Sequence, residues 1–218
     1  MLKVENIKKK YGDLEILKGI SLQVNKGEIV SIVGSSGAGK TTLLQILGTL
    51  DRQDEGTFTI DGINPFTLNQ SKLAKFRNQQ IGFIFQFHQL LPEFSAVENV
   101  MIPAMIGGKS QSVALEQAMI LLNKVGLSDR AKHRPNEISG GEQQRIALAR
   151  AIVADPSLLL FDEPLSNLDA DLRERLRIEI ASLTREIGAT ALYITHDQSE
   201  AFALADRIGG ELHHITVV

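Results

Sequence analysis

The chain has 218 residues, 43% of them hydrophobic, a net charge of −3 and no cysteine. This size and apolar content suit one folded domain with a substantial core and exclude a disordered chain. Disulfide and thiolate chemistry are excluded, and the absence of any dense basic run argues against nucleic acid as a partner.

The longest apolar runs fall far short of the roughly 20 residues that a membrane-spanning helix needs. Residues 1–6 carry an early Glu5 and no signal-peptide pattern, so a cytoplasmic protein is expected. In chain order, residues 4–24 read as strands, with 14–17 and 20–24 partly alternating and Gly12 and Gly19 as breaks. Asn25-Lys26-Gly27 is a turn. The apolar run 28–33 then ends in a glycine-rich stretch, and a helix is predicted over 39–48, with further strands near 56–60 and 81–85. From about 86 to 154 helical signals take over, at 96–105, 112–125 and 140–154. Strand 158–161, helix 171–187, strand 190–195 and a short helix 198–205 complete the pattern. The expected architecture is an α/β core from 1–85 and 155–218, interrupted by a helical insert over about 86–154. In helix 171–187, Leu172, Leu176, Ile180, Leu183 and Ile187 form a stripe expected to be buried, and its charged residues a solvated face. His213 and His214 are adjacent on a terminal strand and so point in opposite directions, which argues against shared metal ligation.

The strongest local signal is Gly34-Ser35-Ser36-Gly37-Ala38-Gly39-Lys40-Thr41, which fits the phosphate-binding pattern G-x-x-x-x-G-K-[ST]. Its glycines let the backbone curl until several N–H groups face phosphate oxygens, and the following helix presents its positive end to the same anion. Lys40 reaches the outer phosphates and the Thr41 hydroxyl is a ligand for Mg²⁺. Residues 34–42, ending in Thr42, are the expected ATP cradle. The buried-strand pattern Leu158-Leu159-Leu160-Phe161 leads into Asp162 and Glu163. Asp162 leaves the strand at its C-terminal end, where ligands sit in open α/β sheets, and is expected to hold Mg²⁺. Glu163, one residue on, is expected to polarise the attacking water as general base.

A second glycine-rich helix start, Ser139-Gly140-Gly141-Glu142, forms another anion cradle: Ser139 can cap the helix and the glycines leave N–H groups uncovered. One chain needs one such cradle per nucleotide. Two copies arranged head to tail use both, which predicts a homodimer on ATP binding.

The run Ile138-Ser139-Gly140-Gly141-Glu142-Gln143-Gln144-Arg145 resembles the signature of the ABC ATPases, and the resemblance covers essentially the whole chain. It implies a P-loop NTPase core of RecA-like type with a mainly parallel sheet, an N-terminal antiparallel β subdomain and an inserted α-helical subdomain. It also assigns roles to single residues. Tyr11 would stack on adenine, Gln86 would sense Mg²⁺ and the γ-phosphate, and His196 would contact the γ-phosphate. Ser166-Asn167-Leu168-Asp169 would cross the dimer interface. The segment after Gln86 would grip a membrane-spanning transporter subunit, placing the protein on the inner face of the cell membrane. Ile46-Leu47-Gly48-Thr49-Leu50-Asp51, Gln86-Phe87-His88-Gln89-Leu90-Leu91-Pro92 and Glu98-Asn99-Val100-Met101-Ile102-Pro103 are similar to the lipoprotein-releasing and macrolide-export ATPases. Asp162-Glu163-Pro164-Leu165-Ser166-Asn167-Leu168-Asp169 and His196-Asp197-Gln198-Ser199-Glu200-Ala201 are more similar to sugar and iron importers. ABC-type ATPases of DNA repair or translation are the other reading. They carry a long coiled coil between the two ATP motifs or two cassettes in one chain, whereas here the gap shows no sustained heptads.

Overall fold

A two-residue turn, Gly12-Asp13, joins β1 (Leu2–Tyr11) to β2 (Leu14–Val24), and β4 (Glu55–Ile60) pairs with the other edge of β1, giving an antiparallel sheet of order β2-β1-β4. The computed structural model describes residues 1–35, 37–166 and 169–209. Leu2, Val4 and Ile7 of β1 face the core; the alternation slips between Val4 and Ile7, where Asn6 takes a left-handed φ of 51° and the register shifts. Glycine was expected to break β2 at position 19. Instead Gly19, at φ 104°, is absorbed into one irregular strand, lying against the Asn6 side chain where a Cβ would stand 2.7 Å from Oδ1.

The second sheet is parallel, in the order β5 (Ile81–Ile84), β6 (Leu158–Asp162), β7 (Thr190–Thr195), β3 (Ile29–Val33), β8 (Arg207–Gly209). The three strands in the middle carry near-continuous apolar sequences because helices or the other sheet cover both faces; every residue of β6 and β7 is buried. One face packs with the antiparallel sheet around α1 (Lys40–Leu47), through Leu43, Leu44, Ile46 and Leu47. The other packs on α6 (Ala170–Glu186) and α7 (Gln198–Leu204). In α6, Leu176, Ile180 and Leu183 are buried as expected, while Leu172 and Ile187 pack at its margins.

The helical insert consists of α3 (Ala96–Ile106), α4 (Gln111–Lys124) and α5 (Gly140–Ile152). α5 joins it to the sheet: Ile146, Ala149 and Val153 pack on α3 and α4, and Leu148, Ala151 and Ile152 on the parallel sheet. The strand expected over 81–85 ends at Ile84. A helix and a strand of the described residues escaped the sequence pattern. α2 (Gln70–Gln80) buries only Phe76 and so has no apolar stripe, and β8 is a three-residue edge. Among the described residues, no helix is long and apolar enough to cross a membrane. His213 and His214 lie outside them.

Candidate nucleotide-binding and catalytic site

The phosphate loop leaves the C-terminal end of β3, next to β7 and one strand from β6, so three strand ends deliver the expected site residues to one edge of the sheet. Gly37 and Gly39 have φ values of 81° and 85°, in the left-handed region. At Gly39 space is limiting as well: a Cβ would stand 2.8 Å from Ile16 Cγ2 and 2.9 Å from Leu17 Cδ2. Gly39 is the N-cap of α1 and offers no side chain to the helix end, so the first-turn N–H groups are left for an anion. Lys40 is 4% exposed and its Nζ donates to the carbonyls of Gly34 and Ser35, at 2.7 Å each, which folds the loop around the ammonium. Ser36 lies outside the described residues.

A cleft of about 290 Å³ opens here, lined by Ile16, Gly37, Gly39, Lys40, Thr41, Thr42, Gln86 and Glu163. The Thr41 hydroxyl donates to Asp162 Oδ1 at 3.0 Å. Hydroxyl and carboxylate oxygens are hard donors that suit Mg²⁺, which takes few protein ligands alongside phosphate and water. Burial pushes the Asp162 carboxyl up, reinforced by neighbouring Glu163 and opposed by the Thr41 hydrogen bond and Lys40. Among the described residues no cluster of three His, Cys, Asp or Glu side chains offers a rival metal site.

Glu163 stands just past β6 with a φ of 44°, a conformation that few non-glycine residues adopt. Its N–H donates to the carbonyl of Ile194 in β7, and its own carbonyl accepts from Ser166. This turn aims the carboxylate into the cleft, with Oε1 4.0 Å from Lys40 Nζ and Oε2 3.1 Å from His196 Nδ1. The expected base, the loop lysine and the histidine thus converge on one point from three strands.

Tyr11 ends β1 with 49% of its surface exposed. Its hydroxyl donates to Asp51 Oδ2 at 2.5 Å, and Lys9 Nζ sits 5.1 Å from its ring centre and also donates to Asp51. Asp51, at the end of the α1 turn, therefore holds the ring that was expected to meet adenine. Sequence reasoning had no signal for this partner, because 40 residues separate the two.

Ser139, Gly140, Gly141 and Glu142 are not among the residues lining the cleft. Ser139 caps α5 in a reciprocal box: its Oγ accepts from the Glu142 N–H, and the Glu142 carboxylate accepts from the Ser139 N–H and Oγ. A Cβ on Gly141 would stand 2.8 Å from Leu172 of α6. Of the expected interface turn, Ser166 bonds back to Glu163 and Asp169 caps α6, while Asn167 and Leu168 lie outside the described residues.

The segment after Gln86 is pinned to the insert by Arg150, which carried no signal in the sequence, and by His88, Gln144 and Asn99, which the sequence offered only as parts of longer runs. Arg150 of α5 donates to the carbonyls of His88 and Gln89 at 2.9 and 2.7 Å, and His88 Nδ1 lies 2.5 Å from Gln144 Oε1. Asn99, wholly buried, accepts from the Leu91 N–H and donates to three carbonyls at 91, 94 and 95. Phe87, Leu91 and Phe94 are left exposed.

Comparison with known proteins gives a consistent picture. The family model described as ABC transporter matches residues 17–166. A lipoprotein-releasing system ATP-binding protein, LolD, of Porphyromonas gingivalis is 56% identical, with 95% of this chain and 94% of the relative covered. Its namesake in Bacteroides thetaiotaomicron is 55% identical over 92% of each. Among solved structures, an ATP-binding cassette dimer in a post-hydrolysis state with ADP and phosphate superposes with a TM-score of 0.87 at 36% identity, covering 99% of this chain and 97% of that one.

Proposed function

The chain belongs to the ABC transporter ATP-binding family, and on that premise we propose that it is the ATP-hydrolysing subunit of a lipoprotein-releasing transporter, working as a homodimer on a separate membrane-spanning partner. The observation that carries this branch is the 56% identity to the Porphyromonas gingivalis protein over 95% of the chain. A match of that extent spans the segment after Gln86 and the residues beyond Phe161, and so favours one branch for the whole chain.

The site geometry supports a division of labour. Loop N–H groups and Lys40 cradle the phosphates of ATP, and Tyr11 meets the adenine. Thr41 and Asp162, with Gln86 at the cleft wall, would hold Mg²⁺, which when bound offsets the charge that develops on the transferring phosphoryl group. Glu163 takes the proton of the attacking water and His196 steadies the γ-phosphate. The second cradle, Ser139 to Glu142, closes over the nucleotide of the other copy, because it is not part of its own cleft. The exposed Phe87, Leu91 and Phe94, on a backbone fixed by Arg150 and Asn99, are the face offered to the membrane partner, and work at the inner face of the cell membrane is part of the same reading.

The test is Glu163→Gln in size-exclusion chromatography with light scattering. This change spares binding but removes the base, so ATP with Mg²⁺ is expected to shift monomer to dimer. A variant that binds ATP yet stays monomeric at every concentration would overturn closure by two copies alone.

A further inference from the structure

His196 lies between Thr195, which is bonded to a buried carboxylate, and Asp197, which is bonded to Thr195 and to the backbone of the residue that carries that carboxylate. Glu200, on α7, is 4% exposed. Thr195 Oγ1 donates to Glu200 Oε2 at 2.7 Å and accepts from the Asp197 N–H at 3.0 Å, so one hydroxyl closes the chain on both sides of His196. Asp197 Oδ1 in turn accepts from the N–H groups of Ser199 and Glu200, fixing the helix start that carries the carboxylate. The fully buried Tyr193 hydroxyl faces the same group from β7, and Arg173 faces it from α6. Arg173 Nε also donates to the carbonyl of Leu165, in the turn that follows Glu163.

A carboxylate is a costly group to bury, and a neutral side chain of the same size would fill the space with less desolvation. Burial pushes the Glu200 carboxyl up, as does nearby Asp197, while the Thr195 hydrogen bond, Arg173 and His196 hold it down. The acid's hydrogen bond runs to the turn that presents His196, and Arg173, whose charge faces it, bonds in turn to the segment that follows Glu163.

We propose that Glu200 is a positioning residue for ATP hydrolysis: through Thr195 it sets the backbone that presents His196 to Glu163, and through Arg173 it ties that backbone to the turn leading into α6. The inference rests on the roles proposed above for Glu163 and His196.

The full-length chain is assayed as wild type, Glu200→Ala, Glu200→Gln, Thr195→Val and His196→Ala, with MgATP turnover, KM, ATP affinity and thermal unfolding measured for each. Glu200→Ala is expected to lower kcat by about ten- to a hundredfold, the scale of a small misplacement at a reacting centre, with KM and ATP affinity within about twofold of wild type. Glu200→Gln still accepts the Thr195 hydroxyl and is expected to recover part of the loss. Thr195→Val cuts the same link from the other end, and reports on it if the alanine variant fails to fold. Wild-type kcat in Glu200→Ala, or a loss shared equally by kcat, affinity and folding in every variant, overturns the inference. Wild-type turnover in His196→Ala would instead refute the site reading on which it stands.

Discussion

Gly37 and Gly39 lie two residues apart in the phosphate loop with nearly the same φ, 81° and 85°, yet their surroundings differ. A Cβ on Gly37 meets nothing within 4 Å, whereas one on Gly39 stands 2.8 Å from Ile16 Cγ2, 2.9 Å from Leu17 Cδ2 and 3.1 Å from the Ile16 carbonyl oxygen. Alanine at either position takes on the left-handed cost of about 1–2 kcal/mol. Gly39→Ala adds overpacking of about 1–3 kcal/mol, because the contact includes backbone that cannot swing aside. The totals are about 1–2 kcal/mol for Gly37→Ala and about 2–5 kcal/mol for Gly39→Ala. At this chain length each kcal/mol shifts Tm by about 2–4 °C, so the drops are about 2–8 °C and about 4–20 °C. Relief at Gly39 comes from pushing the start of α1 away from β2, which moves the N–H groups of the cradle, so MgATP affinity is expected to fall at least about tenfold. Thermal unfolding and titration calorimetry on the two variants check both effects. Equal Tm losses, or wild-type ATP affinity in Gly39→Ala, would show that close contact with β2 does not shape the loop.

Three further outcomes follow from side chains. Tyr11→Phe keeps the ring but frees it from Asp51; losing one hydrogen bond of about 0.5–1.5 kcal/mol is expected to weaken ATP binding about two- to tenfold and leave binding of inorganic triphosphate unchanged, measured by competition titration. Ser139→Ala removes the cap of α5 and is expected to lower stability by about 0.5–2 kcal/mol in denaturant titration at neutral pH. The Ser139 backbone and hydroxyl bonds hold the Glu142 carboxyl below its usual 4.5, so the stability they provide is fully present above that pH and lost as pH falls through the lower folded value; the cost of Ser139→Ala should shrink in the same acid window. Arg150→Met leaves two carbonyls of the 88–89 segment without their charged donor and is expected to cost about 2–4 kcal/mol. Because Arg150 touches the segment proposed to face the membrane partner and does not line the cleft, hydrolysis stimulated by that partner should fall further than basal hydrolysis, which a coupled-enzyme assay with and without the partner resolves.

What could be read from the residues alone was what is local in the chain. The strand–glycine loop–helix around residues 34–41 and the apolar strand ending in Asp162-Glu163 declare themselves because each needs a short, ordered run of residue types. α2 stayed hidden because only Phe76 of its eleven residues is buried, so no period was present to read. β2 looked broken because glycine usually punctuates a strand, but Gly19 here serves close approach to Asn6. Other links were out of reach for a different reason. Tyr11 to Asp51 and Arg150 to His88 bridge separations of 40 and 62 residues, which only the tertiary fold brings together, whereas the meeting of Glu163 with His196 was expected from their shared γ-phosphate.

The strand order bears on why the proposed mechanism needs two copies. β6, β7 and β3 deliver Asp162, His196 and the phosphate loop to one sheet edge, and that edge accounts for Lys40, the proposed Mg²⁺ donors Thr41 and Asp162, the proposed base Glu163 and His196. Ser139 and Gly141 belong to the insert, at the start of a helix whose far face packs on α3 and α4. Burying Gly141 against Leu172 keeps that helix start close to α6, and Asp169, which caps α6, belongs to the turn that begins only three residues after Glu163. Glu163 and the cap of α6 are thus only six residues apart, and α6 is what Gly141 packs against. On the proposed dimer, Leu172 and the Arg145–Glu179 ion pair both join the first half of α5 to α6, so a larger side chain at Gly141 is expected to weaken the ATP-driven dimerisation read by light scattering before it lowers Tm.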